Sequence, residues 1–439
     1  MAALDAQSNW DVSMSQPFRV PIRSNNPKPP SPNPSAFPFL KPPSREILLP
    51  AEIISQILSF IPKRSASQGT LWACSLVSRA WYSAAIAPLY ARPHLHGGNF
   101  SEFVTTVCPS KNAHIRQSSL AVLVRRLDMG ELVHNSSRSL TARLLGRLKH
   151  NIEAFVAPQA SFAINSFAAL SKCTQLRHLD LSLISASIPP RLLFQTLLAL
   201  ENLETLFFPR SSGPQTDDAT EAYKWPPKLK ALHLAGWIDS KFLRTHITHV
   251  PDSLERLSIQ HCPQVYSSAI LEALSVIGNR LKHLTIRHPM PKLQVGVLDH
   301  ILLLSPNLIA LRVSADYISN DLFQSIEAGH PLQILDLDCS GTAGVDVEVS
   351  PSAVYDAVED GKLSNLRSVR VSARLAWTAT ATLRQDVTDL VEILEEEEME
   401  RPLGIAAGVW TTYEWITEWG QCSNWLTGRL HSNDVSLHE

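Results

Sequence analysis

Residues 281–286 read LKHLTI, with apolar side chains at the first, fourth and sixth places, and the same shape returns along the chain. Clear copies are LRHLDL (176–181), LETLFF (203–208), LKALHL (229–234), LERLSI (254–259), LIALRV (308–313) and LQILDL (332–337). Looser copies are VRRLDM (124–129), IEAFVA (152–157) and LRSVRV (366–371). Successive copies start 24–28 residues apart, and the last follows after 34. Each copy is expected to be one strand whose apolar places point inward under a returning segment. One repeat cannot bury its own apolar face, so the stack is the folding unit. Return helices are expected in SSAILEALSVIG, through Ile270, Leu271, Leu274 and Ile277, and in LQVGVLDHILLLSPN, through Val295, Leu298, Ile301 and Leu302.

The period is that of leucine-rich repeats, which predicts an α/β solenoid, a horseshoe, over residues 120–372. Beyond it, over 373–439, Leu383, Val387, Leu390, Val391 and Leu394 form the stripe of a C-terminal cap helix. Glu395, Glu396, Glu397 and Glu398 read as a solvated charge run. Trp410, Trp415, Trp419 and Trp425 either pack back on the last repeat or form an exposed binding element. Between Pro209 and Pro227, turn-formers replace a return helix, so the stretch is either a loop over one rim or an insertion. Residues 1–44 hold ten prolines and are expected to be a disordered tail, either a linker or a proline-recognition ligand. Residues 94–119 read as a linker or a helical connection.

Residues 45–93 change character. In LLPAEIISQILSFIP, Pro50 stands at a helix start, Ile53, Ile54, Ile57, Leu58 and Ile61 recur at helical spacing, and Pro62 closes the helix. A polar loop follows, then LWACSLVSR and AWYSAAIAPLY as second and third helices, the last offering Trp81, Ala84, Ala85 and Leu89 on one side. Three short helices bury too little surface to stand alone, which points to a partner over the remaining apolar side chains.

These residues carry a resemblance. Leu49, Pro50, Glu52, Ile53, Ile57 and Leu58, followed by Leu76, Val77, Arg79, Trp81, Leu89 and Tyr90, resemble the anchors of the F-box family. The resemblance implies a three-helix F-box bound to the small acidic adaptor subunit of an SCF-type cullin–RING ubiquitin ligase. Its implied contacts are Leu49, Pro50, Glu52, Ile57, Leu58, Ile61, Val77 and Trp81. An F-box ahead of leucine-rich repeats resembles a branch whose repeats select the protein to be ubiquitinated. Cys262 is similar to the cysteine of one repeat subtype there, and LVRRLDM and LRHLDLS look like the fungal members. The implied role is a non-catalytic substrate receptor, with the adaptor, the cullin and an unidentified protein substrate as partners. Two other readings stand beside it: a scaffold acting outside a ligase, and a repeat protein whose N-terminal helices merely cap the array.

The third, fifth and seventh places of each copy are expected on the concave face. Arg256, His283, Arg287 and Arg312 fall there, with Ser258, Gln260, Thr285 and Ser314 nearby, Phe207 and His233 before them, and Asp336, Asp338 and Arg370 after them. The four cationic residues form a candidate substrate site for an acidic or phosphorylated segment. The alternative is a mixed-charge face in which Asp336 and Asp338 neutralise the arginines. Catalytic motifs are absent: the sequence holds no phosphate loop, nucleophile elbow, HExxH or GxGxxG. No cofactor or metal is expected.

Of 439 residues, 44% are hydrophobic and 18% charged, and the net charge of −2 brings no field for nucleic acid or a membrane surface. No run of 18 apolar residues and no N-terminal apolar stretch of signal-peptide length occurs. Cys74, Cys108, Cys173, Cys262, Cys339 and Cys422 are scattered without metal-ligand or redox spacing, which suits reduced thiols in the cytoplasm or nucleus.

Overall fold

In a computed structural model of the chain, the described residues are 49–62, 65–110, 118–132, 137–211, 222–342, 347–413 and 426–429. The proline-rich segment 1–44, Trp415, Trp419, Cys422 and Trp425, and residues 212–221 of the turn-rich stretch lie outside them. The chain divides after Leu49, and the described strands and helices belong to the unit from Pro50 onward.

All ten copies form strands: β1 (Arg126–Asp128), β2 (Ala154–Val156), β3 (His178–Asp180), β4 (Thr205–Phe207), β5 (Ala231–Ala235), β6 (Arg256–Gln260), β7 (His283–Arg287), β8 (Ala310–Ser314), β9 (Ile334–Asp338) and β10 (Ser368–Ser372). Each pairs in parallel with its neighbour in sequence. Register never slips: equal places of successive copies lie opposite one another, as Arg256 does to His283 and Arg312 to Asp336. A one-residue slip would turn every leucine to the wrong face, so the apolar pattern itself holds the register. The first- and fourth-place residues, such as Leu176, Leu179, Leu203 and Leu206, are fully buried.

The sheet does not stop at residue 372. β11 (Gly408–Tyr413) pairs in parallel with β10, Arg370 lying opposite Trp410, and β12 (Leu426–Arg429) pairs antiparallel with β11. GVWTTY lacks the leucine pattern, and 40 residues separate Ser368 from Gly408, so the period hides this repeat. Trp410 is half-buried on that strand.

The helices are α1 (Ala51–Ser59), α2 (Gln68–Ser75), α3 (Arg79–Ala91), α4 (Phe100–Val107), α5 (Arg138–Leu148), α6 (Ile164–Leu170), α7 (Pro190–Leu198), α8 (Ser240–His246), α9 (Ser267–Ile277), α10 (Ile301–Leu304), α11 (Asp321–Gln324), α12 (Pro351–Glu359) and α13 (Ala381–Glu400). α4 occupies the expected connection but buries Phe100, Phe103 and Val107 in the main core, and so covers the first repeat. α9 is the return helix expected, with Ile270, Leu274 and Ile277 buried. The next return segment differs: only Ile301–Leu304 is helical, although Leu298, Ile301 and Leu302 are buried as expected. Gly296 there takes φ +77°, a left-handed turn that interrupts a helix.

α13 buries Val387, Leu390 and Leu394. Its acidic run is not simply solvated. Arg367, with a fully buried side chain, donates to Glu398 Oε2 at 3.0 Å and to the carbonyls of Glu397 and Arg401. Glu398 also accepts from the backbone N–H groups of Leu403 and Gly404. Trp225 anchors the far end of the turn-rich stretch, buried edge-on against Phe194 and donating to the His246 carbonyl at 2.9 Å.

Candidate functional site

α1, α2 and α3 enclose a small core of their own, separate from that of the repeats: Ile54, Leu58, Leu71 and Ala85, with Ile61, Cys74, Trp81, Ala84 and Leu89 packed against it. Ser78 caps α3 by accepting from Trp81 N–H, which sets that tryptophan in the first turn against this core. The apolar residues of α1 form two rows rather than one stripe. Ile54, Leu58 and Ile61 face inward, while Ile53, Ile57 and Phe60, at the same spacing, stay exposed. Trp72, Leu76, Val77 and Tyr82 are exposed as well, Phe60 at 77% and Val77 at 66%. Seven large apolar side chains in water within 30 residues are more than a free surface normally shows.

The repeats present a second surface. Helices cover one side of the sheet, and the third and fifth places of the strands make up the open side. Phe207 and His233 stack there, ring centroids 3.9 Å apart and 4° from parallel, and His178 meets Phe207 edge-on at 5.5 Å. Burial lowers the pKa of His178 and His283 and brings His233 down to about 4, so all three rings are neutral at pH 7.

Residues 47–96 match the family described as F-box-like. A fission-yeast (Schizosaccharomyces pombe) relative, Protein pof5, is 31% identical over 326 residues, which are 74% of this chain and 89% of that protein. The chain belongs to the F-box protein family. A budding-yeast (Saccharomyces cerevisiae) relative, F-box protein YDR306C, is 32% identical over 329 residues, covering 74% of this chain but only 66% of the relative. Among solved structures, the crystal structure of the yeast Rad7 and Elc1 complex shows 13% identity to one of its chains. That match covers 73% of this chain and 87% of the other at a TM-score of 0.34, too loose to bear on function.

Within the F-box, the residues expected at the adaptor divide. Pro50, Glu52, Ile57 and Val77 are exposed, and so is Leu49, the last residue of the preceding unit. Leu58 is only 4% exposed and belongs to the F-box core, because it lies a turn beyond Ile54 on the inward row of α1. Ile61 and Trp81 are half-buried against the same core. Ile53 and Leu76, anchors of the resemblance but not among its implied adaptor contacts, are exposed too, as are Phe60, Trp72 and Tyr82, which the sequence did not single out. The 53, 57, 60 spacing was the available signal, masked by the interleaved 54, 58, 61 row.

On the open face the four cationic residues do not act as one group. Arg287, 7% exposed, pairs with the buried Asp338, and Arg312 Nε donates to Asp336 Oδ2 at 2.7 Å. The neutralisation weighed as the alternative is therefore what these two arginines show. Arg256 is exposed and His283 half-buried and neutral. The described cysteines are free, and burial raises the Cys173 and Cys262 thiols to about 12, leaving them protonated and inert. Among the described residues no cluster suits a metal ion, and no helix is long and apolar enough to cross a membrane.

Proposed function

We propose that this F-box protein is the substrate-recognition subunit of an SCF-type cullin–RING ubiquitin ligase. α1–α3 hold the adaptor subunit, and the open face of the repeats holds a protein substrate. Labour divides along the chain: residues 45–93 as the adaptor module, 94–119 with α4 as the connection, 120–372 as the repeats, and 373–439 as the closing segment, in which α13 leads into the added parallel strand β11. The observation that carries this is the outward apolar set headed by Ile53, Ile57 and Phe60, on helices already packed over a core of their own. Aromatic and aliphatic anchors of this kind suit a core-like protein interface. Leu49, Pro50, Glu52 and Val77 complete the adaptor contacts, and Arg256 and His283 are the members of the mid-face set offered to substrate. The chain contributes no catalytic group and acts by proximity, in the cytoplasm or nucleus.

The test is direct. Ile57→Asp with Val77→Asp changes two exposed side chains, so the F-box core should survive. A Skp1-type adaptor should bind the wild-type chain and lose at least about 100-fold with the variant, as for removal of interface hot spots. Unchanged adaptor binding sinks the reading. Co-purification of a cullin with the adaptor complex separates a ligase subunit from a scaffold.

A further inference from the structure

Where the F-box helices meet the open face of the first repeats, a cleft of about 920 Å³ is left. Leu58, Leu71 and Leu95 are among its lining residues, and so are Asp128, Val156 and Asp180, which lie side by side as fifth places of three adjacent strands. Adjacent strands stand about 4.8 Å apart, so the two aspartates are about 10 Å apart across Val156. The cleft's charges do not cancel. Glu153 pairs with Arg125 and Asp128 with Arg126, each at 2.7 Å. Among the described residues Asp180 and Glu131 take part in no ion pair, and beyond the paired Arg125 and Arg126 the remaining arginine lining the cleft is Arg92. Asp180 accepts the N–H and hydroxyl of Ser182 at 2.9 and 2.7 Å, both on Oδ1, which orients the carboxylate and leaves Oδ2 outside these bonds. Directly across from Asp180 lies Phe207, flanked by His178 and His233.

A half-buried, oriented carboxylate beside a neutral aromatic stack is the chemistry that recognises a planar cation: a fork of N–H donors for the carboxylate, a flat face for the rings. We infer that this cleft is the substrate's docking groove and takes an arginine side chain of an extended protein segment, its guanidinium on Asp180 and beside Phe207. The inference rests on the substrate-receptor reading and moves its centre from Arg256 and His283 to the F-box end of the sheet.

Pools of short peptides with a fixed central Arg, Lys, citrulline or Glu, offered to the full chain with and without the adaptor, test it by fluorescence anisotropy. The Arg pool should bind at least about tenfold better than the citrulline pool, and Asp180→Asn should erase the difference. Glu131→Gln, at an exposed position, should weaken the Arg pool severalfold, and it decides the matter with Phe207→Leu if Asp180→Asn fails to fold. Equal binding of Arg and citrulline, equal binding of Arg and Lys, or preference for Glu overturns the inference. Adaptor affinity measured on the same preparations keeps the two readings apart: adaptor bound without arginine preference removes only the groove, whereas loss of adaptor binding removes the receptor reading.

Discussion

Arg367 occupies the second place of its copy, as Arg125, Glu153, Arg177, Glu204, Lys230, Glu255 and Lys282 do in theirs. Those seven alternate in sign along one edge of the sheet and form partly exposed pairs, such as Lys282–Glu255 at 2.7 Å. Such pairs contribute about 0–1 kcal/mol each. Arg367 meets the opposite fate because α13 lies over it. Arg367→Met leaves Glu398 and four carbonyls, those of Ser364, Leu366, Glu397 and Arg401, short of a donor, and should cost about 3–5 kcal/mol in urea unfolding. Glu398 titrates low, held there by the Leu403 N–H first, then by the Gly404 N–H and Arg367. Its folded pKa lies below its unfolded one, so its contribution is complete above the ordinary Glu range and is lost as pH falls through the folded value. His233 works at higher pH. With a folded pKa of about 4 against an ordinary 6.5, it stays neutral in the fold while the unfolded chain takes up a proton. Stability should therefore fall between pH 6.5 and 4, by at most about 1.4 kcal/mol per pH unit from this residue. Urea midpoints at pH 7 and 5 check the slope, and His233→Gln should make it shallower, leaving the share of His261, whose pKa burial also brings down to about 4.

Among elements, α1 is the most compressed, since nine residues serve two apolar faces. Truncating the inward row and charging the outward row should have different consequences. Leu58→Ala should cost about 2–5 kcal/mol of F-box stability, seen as earlier loss of hydrogen-exchange protection in residues 51–91, with the repeats unaffected. Charging Ile57 should leave that protection intact and abolish adaptor binding. Repeats meet closely at the end of α9, where a Cβ on Gly278 would lie 2.2 Å from the carbonyl oxygen of Leu304 in the next repeat. The contact is backbone and cannot swing aside. Gly278→Ala should lower stability by about 1–3 kcal/mol, measured by thermal unfolding, although alanine is the better helix former.

At the scale of the molecule, stability is a sum of repeats and their contacts, so the ends matter most. A chain stopped at residue 372 lacks α13 and β11, bares the edge of β10 and strips Arg367 of its partners Glu397, Glu398 and Arg401. It should aggregate or unfold at lower denaturant than the full chain, and an equally soluble, equally stable truncation would refute the closing role of α13. The sequence by itself settled the stack. Ten strands, their register and their buried leucines follow from a local pattern that each repeat carries complete, and the F-box anchors likewise lie within one short stretch. Only the tertiary structure decided what distance along the chain conceals. It set which row of α1 faces its own core, which arginines Asp336 and Asp338 take up 24 and 51 residues away, and that an eleventh parallel strand follows a 20-residue helix. The physical reason is one of range. Apolar periodicity encodes which side of an element is buried, but the partner of a charge and the occupant of an apolar face depend on what the rest of the chain brings alongside.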